Sequence, residues 1–247
     1  MTVFDIYKFL DTFCPFSTAC DWDNSGMLVG NKNATVTKAV IALDCNDSVI
    51  AEAQKMGAEL IITHHPVIFP EIHSVLSDSL VHRLIKNGIS VICAHTNLDK
   101  SDGGVNDCLA ATLELKNVKT IKTSDDFSFK MGMSEKSVTP DDFAKFVGNK
   151  LGIIPRYCVG NRQIKHIAVC GGSGGDFLDD AINAGADAFV TADIKHHILL
   201  EAAHRGITLI DGGHFATEDT VIEPLKSLLQ GKFPEILFKT NHFSVIR

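Results

Sequence analysis

Apolar side chains recur along this chain in two patterns, one typical of helices and the other of buried strands. Residues 4–14 carry apolar side chains at helical spacing and precede Pro15, so they predict an amphipathic helix. Residues 38–44 form a nearly continuous apolar run, which indicates a strand without a solvent-facing side. Helical spacing returns over 48–56, and Gly57 follows as a C-cap. Helices and strands therefore alternate in this part of the chain.

The next apolar run leads into two adjacent histidines. Residues 58–62 predict a short buried strand that continues toward His64 and His65. Pro66 lacks the amide hydrogen that a ladder requires, so the strand should end at the histidines. Because neighbouring side chains of a strand point in opposite directions, the two imidazoles can reach two metal ions, or one ion from two sides.

The same alternation continues beyond these histidines. A helix is predicted over 76–87 and a strand over 88–94, which leads to His95. Thr139 and Pro140 have the N-cap and first-turn preferences of a helix start. Strand, helix and strand in succession predict parallel pairing and an α/β fold class.

From Lys165 onward, the pattern of the first part of the chain returns. A strand, a glycine–alanine pair and a strand ending in a histidine occur in the same order as before. This correspondence sets His95 against His214 and Asp99 against Glu218, each pair in the form histidine, three residues, carboxylate. Periodicity alone can produce part of such a match. The pattern nevertheless favours an internal duplication.

The predicted architecture is two similar α/β lobes with mostly parallel sheets flanked by helices. Residues 1–122 form the first half, residues 165–247 form the second half, and residues 123–164 form a connector too short for an inserted domain. With 247 residues, the chain can bury a sizeable core in one large or two small lobes.

Composition narrows the classes of protein. The net charge of −7 and the lack of a basic run argue against nucleic acid as a partner. The chain shows neither a secretory signal pattern nor an apolar run long enough to span a membrane, so we expect no membrane partner. Seven cysteines without a C-x-x-C pair favour free thiols and a cytoplasmic location. Cys93 and Cys170 lie in apolar strands and are expected to fill the core.

Five residues are candidate metal ligands: His64, His65, Asp99, His214 and Glu218. All are predicted at the carboxyl ends of parallel strands, the edge where open α/β sheets bind ligands. Nitrogen and carboxylate ligands without thiolate suit zinc, manganese or ferrous iron. Five ligands fit two divalent ions with a bridging carboxylate better than one open ion. Such pairs of ions commonly support hydrolysis at neutral pH.

Each candidate also has an alternative without metal. Adjacent histidines such as His64 and His65 are often polar residues of the surface, or one of them is half-buried and hydrogen-bonded. A helix start carrying Glu218 can simply place an acid on the helix dipole. His95 is assigned to proton transfer beside the metals, and its alternative is a core histidine bonded to backbone.

The segment 191–197 occupies the place of the histidine pair in the second half. Asp193 would then face the same ligand-binding edge, and Lys195, His196 and His197 could contact an anionic substrate. The alternative is a helix start capped by Asp193, with two surface histidines.

Two glycine-containing loops complete the candidates. Residues 171–175 resemble a phosphate-cradling loop, although they lack the lysine of a P-loop and the spacing of a dinucleotide fingerprint. Residues 21–26 form a turn, in which Trp22 is expected to pack over the core.

Together these motifs resemble the Nif-three-like family, which is described in many genomes as GTP cyclohydrolase I type 2. The matching segments span nearly the whole chain and are 22–26, 63–69, 95–99, 103–107, 170–174, 191–197 and 213–218. One departure is Ala192, which replaces the family's usual glycine. The other is the short connector, since some members insert a domain there.

The resemblance implies both an assembly and an activity. It implies a dinuclear metal site in which Glu218 touches both ions, within a toroidal homohexamer whose sites face an internal cavity. The substrate it implies is a small molecule, the nucleotide GTP. A metal hydroxide would attack C8 of the guanine, open the imidazole ring and release formate, with His95 as general acid or base.

Two further classes of function stay open from the sequence. One keeps the metals and changes the substrate, giving a phosphoesterase or a cyclic amidohydrolase. The other is a metal-binding, metal-delivery or oligomeric scaffold protein without catalysis.

Overall fold

The structure is a computed structural model, which describes residues 1–123 and 126–245. The chain divides into two compact units. Unit 1 comprises Met1–Ser101 and Ile222–Arg247, and unit 2 comprises Asp102–Val221. The units do not coincide with the three sequence segments, because the last helix and strand belong to unit 1. The duplication itself stays a prediction.

The helices and strands alternate along most of the chain. The helices are α1 (Val3–Phe13), α2 (Asp47–Met56), α3 (Leu80–Lys86), α4 (Thr96–Lys100), α5 (Val105–Thr112), α6 (Pro140–Leu151), α7 (Leu178–Asn183), α8 (His196–His204), α9 (His214–Glu218) and α10 (Ile222–Lys232). The strands are β1 (Gly26–Val29), β2 (Lys38–Ala42), β3 (Leu60–Thr63), β4 (Ser90–Cys93), β5 (Lys116–Lys122), β6 (Ser128–Val138), β7 (Arg156–Cys158), β8 (Ile164–Val169), β9 (Ala188–Thr191), β10 (Thr208–Asp211) and β11 (Leu237–Asn241).

Unit 1 is built on a five-stranded sheet in the order β1-β4-β3-β2-β11. Strands β4, β3, β2 and β11 are parallel, and β1 is antiparallel to β4. Every residue of β3 and β4 is buried, which explains why their sequences lack alternation. Val40, Ile61 and Val91 pack in one core cluster of this unit.

Unit 2 is built on a six-stranded sheet in the order β5-β6-β8-β9-β10-β7. Its centre, β8-β9-β10, is parallel, and antiparallel strands extend it on both sides. Ile167 and Val190 face one core with α5 and α6. Ala168 and Phe189 face a second core with α7 and α8. Helices therefore cover both faces of this sheet.

The predicted α/β class, with two sheets flanked by helices, is confirmed. The first sheet is mostly parallel, as its apolar runs indicate. The second sheet is more mixed, because β6 and β7 come from the segment predicted as a connector and pair antiparallel with their neighbours.

Local signals define several helix ends, and those at Gly57 and Thr139 lie where the sequence predicts them. Asn46 caps α2 by accepting from the amides of Ser48 and Val49. Gly57 ends the same helix in the left-handed conformation, with φ of 66°. Thr139 caps α6 by accepting from the amide of Asp142 at 3.2 Å.

All seven cysteines are free thiols, as their pattern predicts. Cys93 and Cys170 are buried in the strand regions, which confirms them as core residues. Among the described residues, no helix is both long and apolar enough to cross a membrane.

The C-cap of α2 gives a matched test of backbone conformation. Gly57→Ala should lower the free energy of unfolding by about 1 kcal/mol, because alanine is strained in the left-handed region while the surrounding space is open. Gly231→Ala, inside α10 and also in open space, should raise it by up to about 1 kcal/mol. Urea unfolding measures both. Equal effects of the two substitutions would contradict the assigned backbone at Gly57.

Candidate functional site

In unit 1, the histidines follow the carboxyl ends of two adjacent parallel strands. Thr63 at the end of β3 pairs with Cys93 at the end of β4. His64 and His65 come directly after β3, and His95 precedes α4 as its N-cap residue. Parallel pairing therefore brings residues from distant parts of the sequence to one sheet edge, where α/β proteins bind ligands.

The three imidazoles of this edge form a compact cluster. Each offers a ring nitrogen, and these nitrogens lie within 4.8 Å of one another. The ring centroid distances are 5.0 Å between His64 and His65, 5.1 Å between His64 and His95, and 5.6 Å between His65 and His95. This spacing suits ions held by His64 and His65, with His95 as a further ligand or close enough to exchange a proton with a group bound there.

The Nδ1 atom of each ring in this cluster faces an acceptor. The acceptors are the carbonyl oxygen of Ala94 for His64 at 2.9 Å, Asp44 Oδ1 for His65 at 2.7 Å and Asp23 Oδ1 for His95 at 2.7 Å. An acceptor at Nδ1 favours the tautomer that carries hydrogen there and leaves the lone pair on Nε2. Metal-binding histidines are commonly oriented in this way.

Asp99 lies beside the same cluster. It belongs to α4, is only 7% exposed, and its Oδ1 lies 3.6 Å from Nε2 of His64. This distance exceeds a good hydrogen bond. It suits two ligands of one ion, which lie about 3–4 Å apart when each is about 2 Å from the metal. The donor set of unit 1 thus fits a divalent cation.

Asp23 is held by a dense network of hydrogen bonds. Its Oδ2 accepts from the amide and hydroxyl of Thr96, at 3.1 and 2.6 Å, and from the Ser25 hydroxyl at 2.8 Å. Burial raises the pKa of Asp23, but hydrogen bonds from His95, Thr96 and Ser25 outweigh burial and hold that pKa well below its ordinary value. An ionised Asp23 therefore orients His95.

In unit 2, His214 and Glu218 lie one turn apart on α9. Nε2 of His214 is 3.0 Å from Oε2 of Glu218. Nδ1 of His214 is 2.7 Å from Oδ2 of Asp193, so this ring is oriented like those of unit 1. Asp193 has a φ of 53°, a conformation that aspartate adopts more readily than most residues. The predicted pairing of His214 with Glu218 on one helical face is present.

The glycine loop after β8 packs against Glu218, which is 4% exposed. A Cβ atom on Gly172 would lie 2.1 Å from Oε1 of Glu218. The amides of Gly171, Gly172 and Gly174 donate to side-chain oxygens of the protein, those of Asn106, Thr217 and Thr191. These amides are therefore engaged within unit 2 instead of being directed at a phosphate.

The residues predicted to contact substrate lie around the start of α8. Asp193 contacts His214 and does not cap this helix, whose N-cap residue is Lys195. Lys195, His196 and His197 are exposed. Their contact with a substrate stays a prediction.

Trp22 corrects an expectation. It does not pack over the core, because its side chain is 64% exposed. Its neighbours Asp23, Asn24 and Ser25 fix the loop through their own hydrogen bonds, so the indole is not needed to anchor it.

Two residues that contact the candidate site were not predicted from the sequence. Asp44 follows β2 and reaches His65 because β2 and β3 run parallel in register. The parallel pairing of β2 with β3 was therefore the signal that could have identified Asp44. Asp23 lay within a motif already noted, but its contact with His95 joins segments too distant to be paired from spacing alone.

The chain resembles known proteins along nearly its whole length. The profile of the Duf34/NIF3 (NGG1p interacting factor 3) family matches residues 1–246. A Clostridium perfringens protein named "GTP cyclohydrolase 1 type 2 homolog" is 36% identical over 232 residues, covering 90% of this chain and 88% of the relative. The similarity therefore extends over both units.

Solved structures share the fold. Staphylococcus aureus hypothetical protein SA1388 has a TM-score of 0.92 and 33% identity, covering 100% of this chain and 99% of the other. Reduced HcgD from Methanocaldococcus jannaschii has a TM-score of 0.85 and 27% identity, covering 98% of both chains.

The contact between the glycine loop and Glu218 can be tested with a matched pair. Gly172→Ala should lower the free energy of unfolding by about 1–3 kcal/mol, because its Cβ clashes with the Glu218 carboxylate and its φ is 62°. Gly175→Ala, with open space around it, should change that free energy by less than about 0.5 kcal/mol. Denaturant unfolding distinguishes the two. If Gly172→Ala left the free energy of unfolding unchanged, the loop would not confine Glu218.

Proposed function

Because the chain belongs to the Duf34/NIF3 family, we propose that it is a metal-dependent hydrolase with two divalent ions. The observation that carries this proposal is the orientation of the imidazoles, since an acceptor at Nδ1 leaves Nε2 for a metal. Groups of histidine and carboxylate that could hold an ion are present in the fold.

The proposed ligands are His64, His65, Asp99, His214 and Glu218, with Glu218 contacting both ions. Their nitrogen and carboxylate donors favour zinc, iron or manganese. When bound, such ions act as Lewis acids and activate water for hydrolysis. The protein's part is to fix the donors. Hydrogen bonds hold the three imidazoles, and the glycine loop confines the carboxylate of Glu218.

His95 is assigned to proton transfer. Asp23 holds its Nδ1 side at 2.7 Å, and its Nε2 remains to accept or donate a proton beside His64 and His65. An ionised carboxylate on one ring nitrogen stabilises the protonated imidazole that forms after the other accepts a proton. This arrangement supports general acid–base catalysis next to the ions.

The first substrate proposed is GTP, with hydrolytic opening of its guanine ring and release of formate. Support comes from the name that curated relatives carry, "GTP cyclohydrolase 1 type 2 homolog". Lys195, His196 and His197 are exposed and are assigned to contact with an anionic part of the substrate. A cytoplasmic homohexamer is proposed on the family resemblance.

Metal content tests the ligand set. Protein purified without added metal or chelator should hold about two ions per chain, and Glu218→Gln should hold fewer because it removes the proposed bridge. Elemental analysis measures both. Glu201→Gln, an exposed carboxylate on α8 that pairs with Arg205, should keep the wild-type content. Unchanged metal content in Glu218→Gln, or failure of wild type to bind added metal, would contradict the proposal.

Turnover tests the role of His95. Metal-loaded wild type should release formate from GTP, and His95→Asn should lower the rate by about 100-fold or more while keeping the metal content. A formate assay and elemental analysis on the same samples separate the two effects. Loss of metal in His95→Asn would make it a ligand. If the protein hydrolyses phosphoesters but releases no formate from GTP, the proposed substrate is wrong. If it binds metal but turns over no substrate, the proposal that it is an enzyme is wrong.

A further inference from the structure

We propose that Trp22, Phe69 and His95 form an aromatic corner that binds a planar heteroaromatic ring of the substrate. The inference rests on the proposed function, since it takes this corner to be part of the same site. It specifies the chemical class of the ligand from contacts within unit 1 alone.

The three rings stand nearly perpendicular to one another at equal spacing. The centroid distance is 6.1 Å for each pair: Trp22 with Phe69, Trp22 with His95 and Phe69 with His95. The angles between the ring planes are 79°, 78° and 87°. A flat ring stacked on one member of such a corner meets the others edge to face, and both geometries are favourable for aromatic pairs.

Two of these rings are exposed beyond what packing requires. Trp22 is 64% exposed and Phe69 is 52% exposed, so both leave much of their aromatic surface in water. Covering that surface with a ligand ring recovers apolar burial. Stacking on an aromatic side chain also tolerates any planar base, because every base has a π face.

Hydrogen bonds fix the two loops that carry the exposed rings. Nδ2 of Asn24 donates to the carbonyl oxygen of Ile68 at 2.5 Å, which ties the loop of Trp22 to that of Phe69. Asp23 joins the same loop to Thr96 and to His95. The corner is thus held in place before a ligand arrives, which lowers the entropy cost of binding.

The corner lies next to the histidine cluster, which favours a substrate as its ligand over a partner that docks far from the site. His95 belongs both to the corner and to the cluster of ring nitrogens with His64 and His65. A ring lying against Trp22 and Phe69 therefore lies next to the proposed metal ligands. This places the reacting part of a heteroaromatic substrate within reach of Nε2 of His95.

Trp22 is the only tryptophan of the chain, so its fluorescence reports on this corner directly. The metal-loaded protein should show saturable quenching by GTP, a purine, or by nicotinamide mononucleotide, a pyridine, but not by ribose phosphate. The stronger of the two ring compounds identifies the kind of heterocycle. Phe69→Leu should weaken the binding by about tenfold. Phe4→Leu, a phenylalanine of α1 that is 42% exposed, should leave it unchanged.

Three results would overturn the inference. These are no saturable change with either ring compound, an equal change with ribose phosphate, or a change that follows protein concentration alone, which would put Trp22 in a contact between chains. Metal content of the same samples separates this failure from that of the proposed function. If the samples hold about two ions per chain but bind neither ring compound, only the proposed aromatic corner is contradicted. If they bind a ring compound but hold no metal, only the proposed hydrolase is contradicted.

Discussion

The chemistry available to this protein depends on hydrogen bonds to the far side of its imidazole rings. A histidine can bind a metal through either nitrogen, and a mobile ring loses rotational freedom when it does so. Here an aspartate or a carbonyl oxygen occupies Nδ1 of four histidines. These hydrogen bonds fix the tautomer and the orientation of each ring before any metal binds. Without these acceptors, neither the tautomer nor the orientation of each ring would be fixed.

Parallel strand pairing supplies three of these four acceptors, whereas Asp23 precedes β1, which is antiparallel to β4. Asp44 follows β2 and His65 follows β3, so the register between two parallel strands sets their distance. In unit 2, β9 and β10 are parallel, and Asp193 and His214 follow them in the same manner. In each unit, the sheet edge thus carries both a candidate ligand and the group that orients it, from segments that no local pattern connects.

Features that depend on interactions within one turn or one strand could be predicted from the sequence. Features that depend on contacts between distant segments could not. The caps at Gly57 and Thr139 were predictable, because a left-handed glycine and a hydroxyl N-cap act within one turn. The buried strands were predictable from unbroken apolar runs. The exposure of Trp22 was not, since it follows from hydrogen bonds of Asp23 and Asn24 to residues far along the chain. The antiparallel flank of the second sheet depends on long-range pairing in the same way.

The division into units has a consequence for the order in which the chain is made and folded. Unit 2 is one continuous segment, Asp102–Val221, whereas unit 1 is interrupted by it. Strand β11 pairs with β2, so the first sheet lacks this edge strand until Leu237–Asn241 has left the ribosome. During synthesis, the middle of the protein is therefore free to fold first. The sheet of unit 1 is completed only after all of unit 2 has been synthesised.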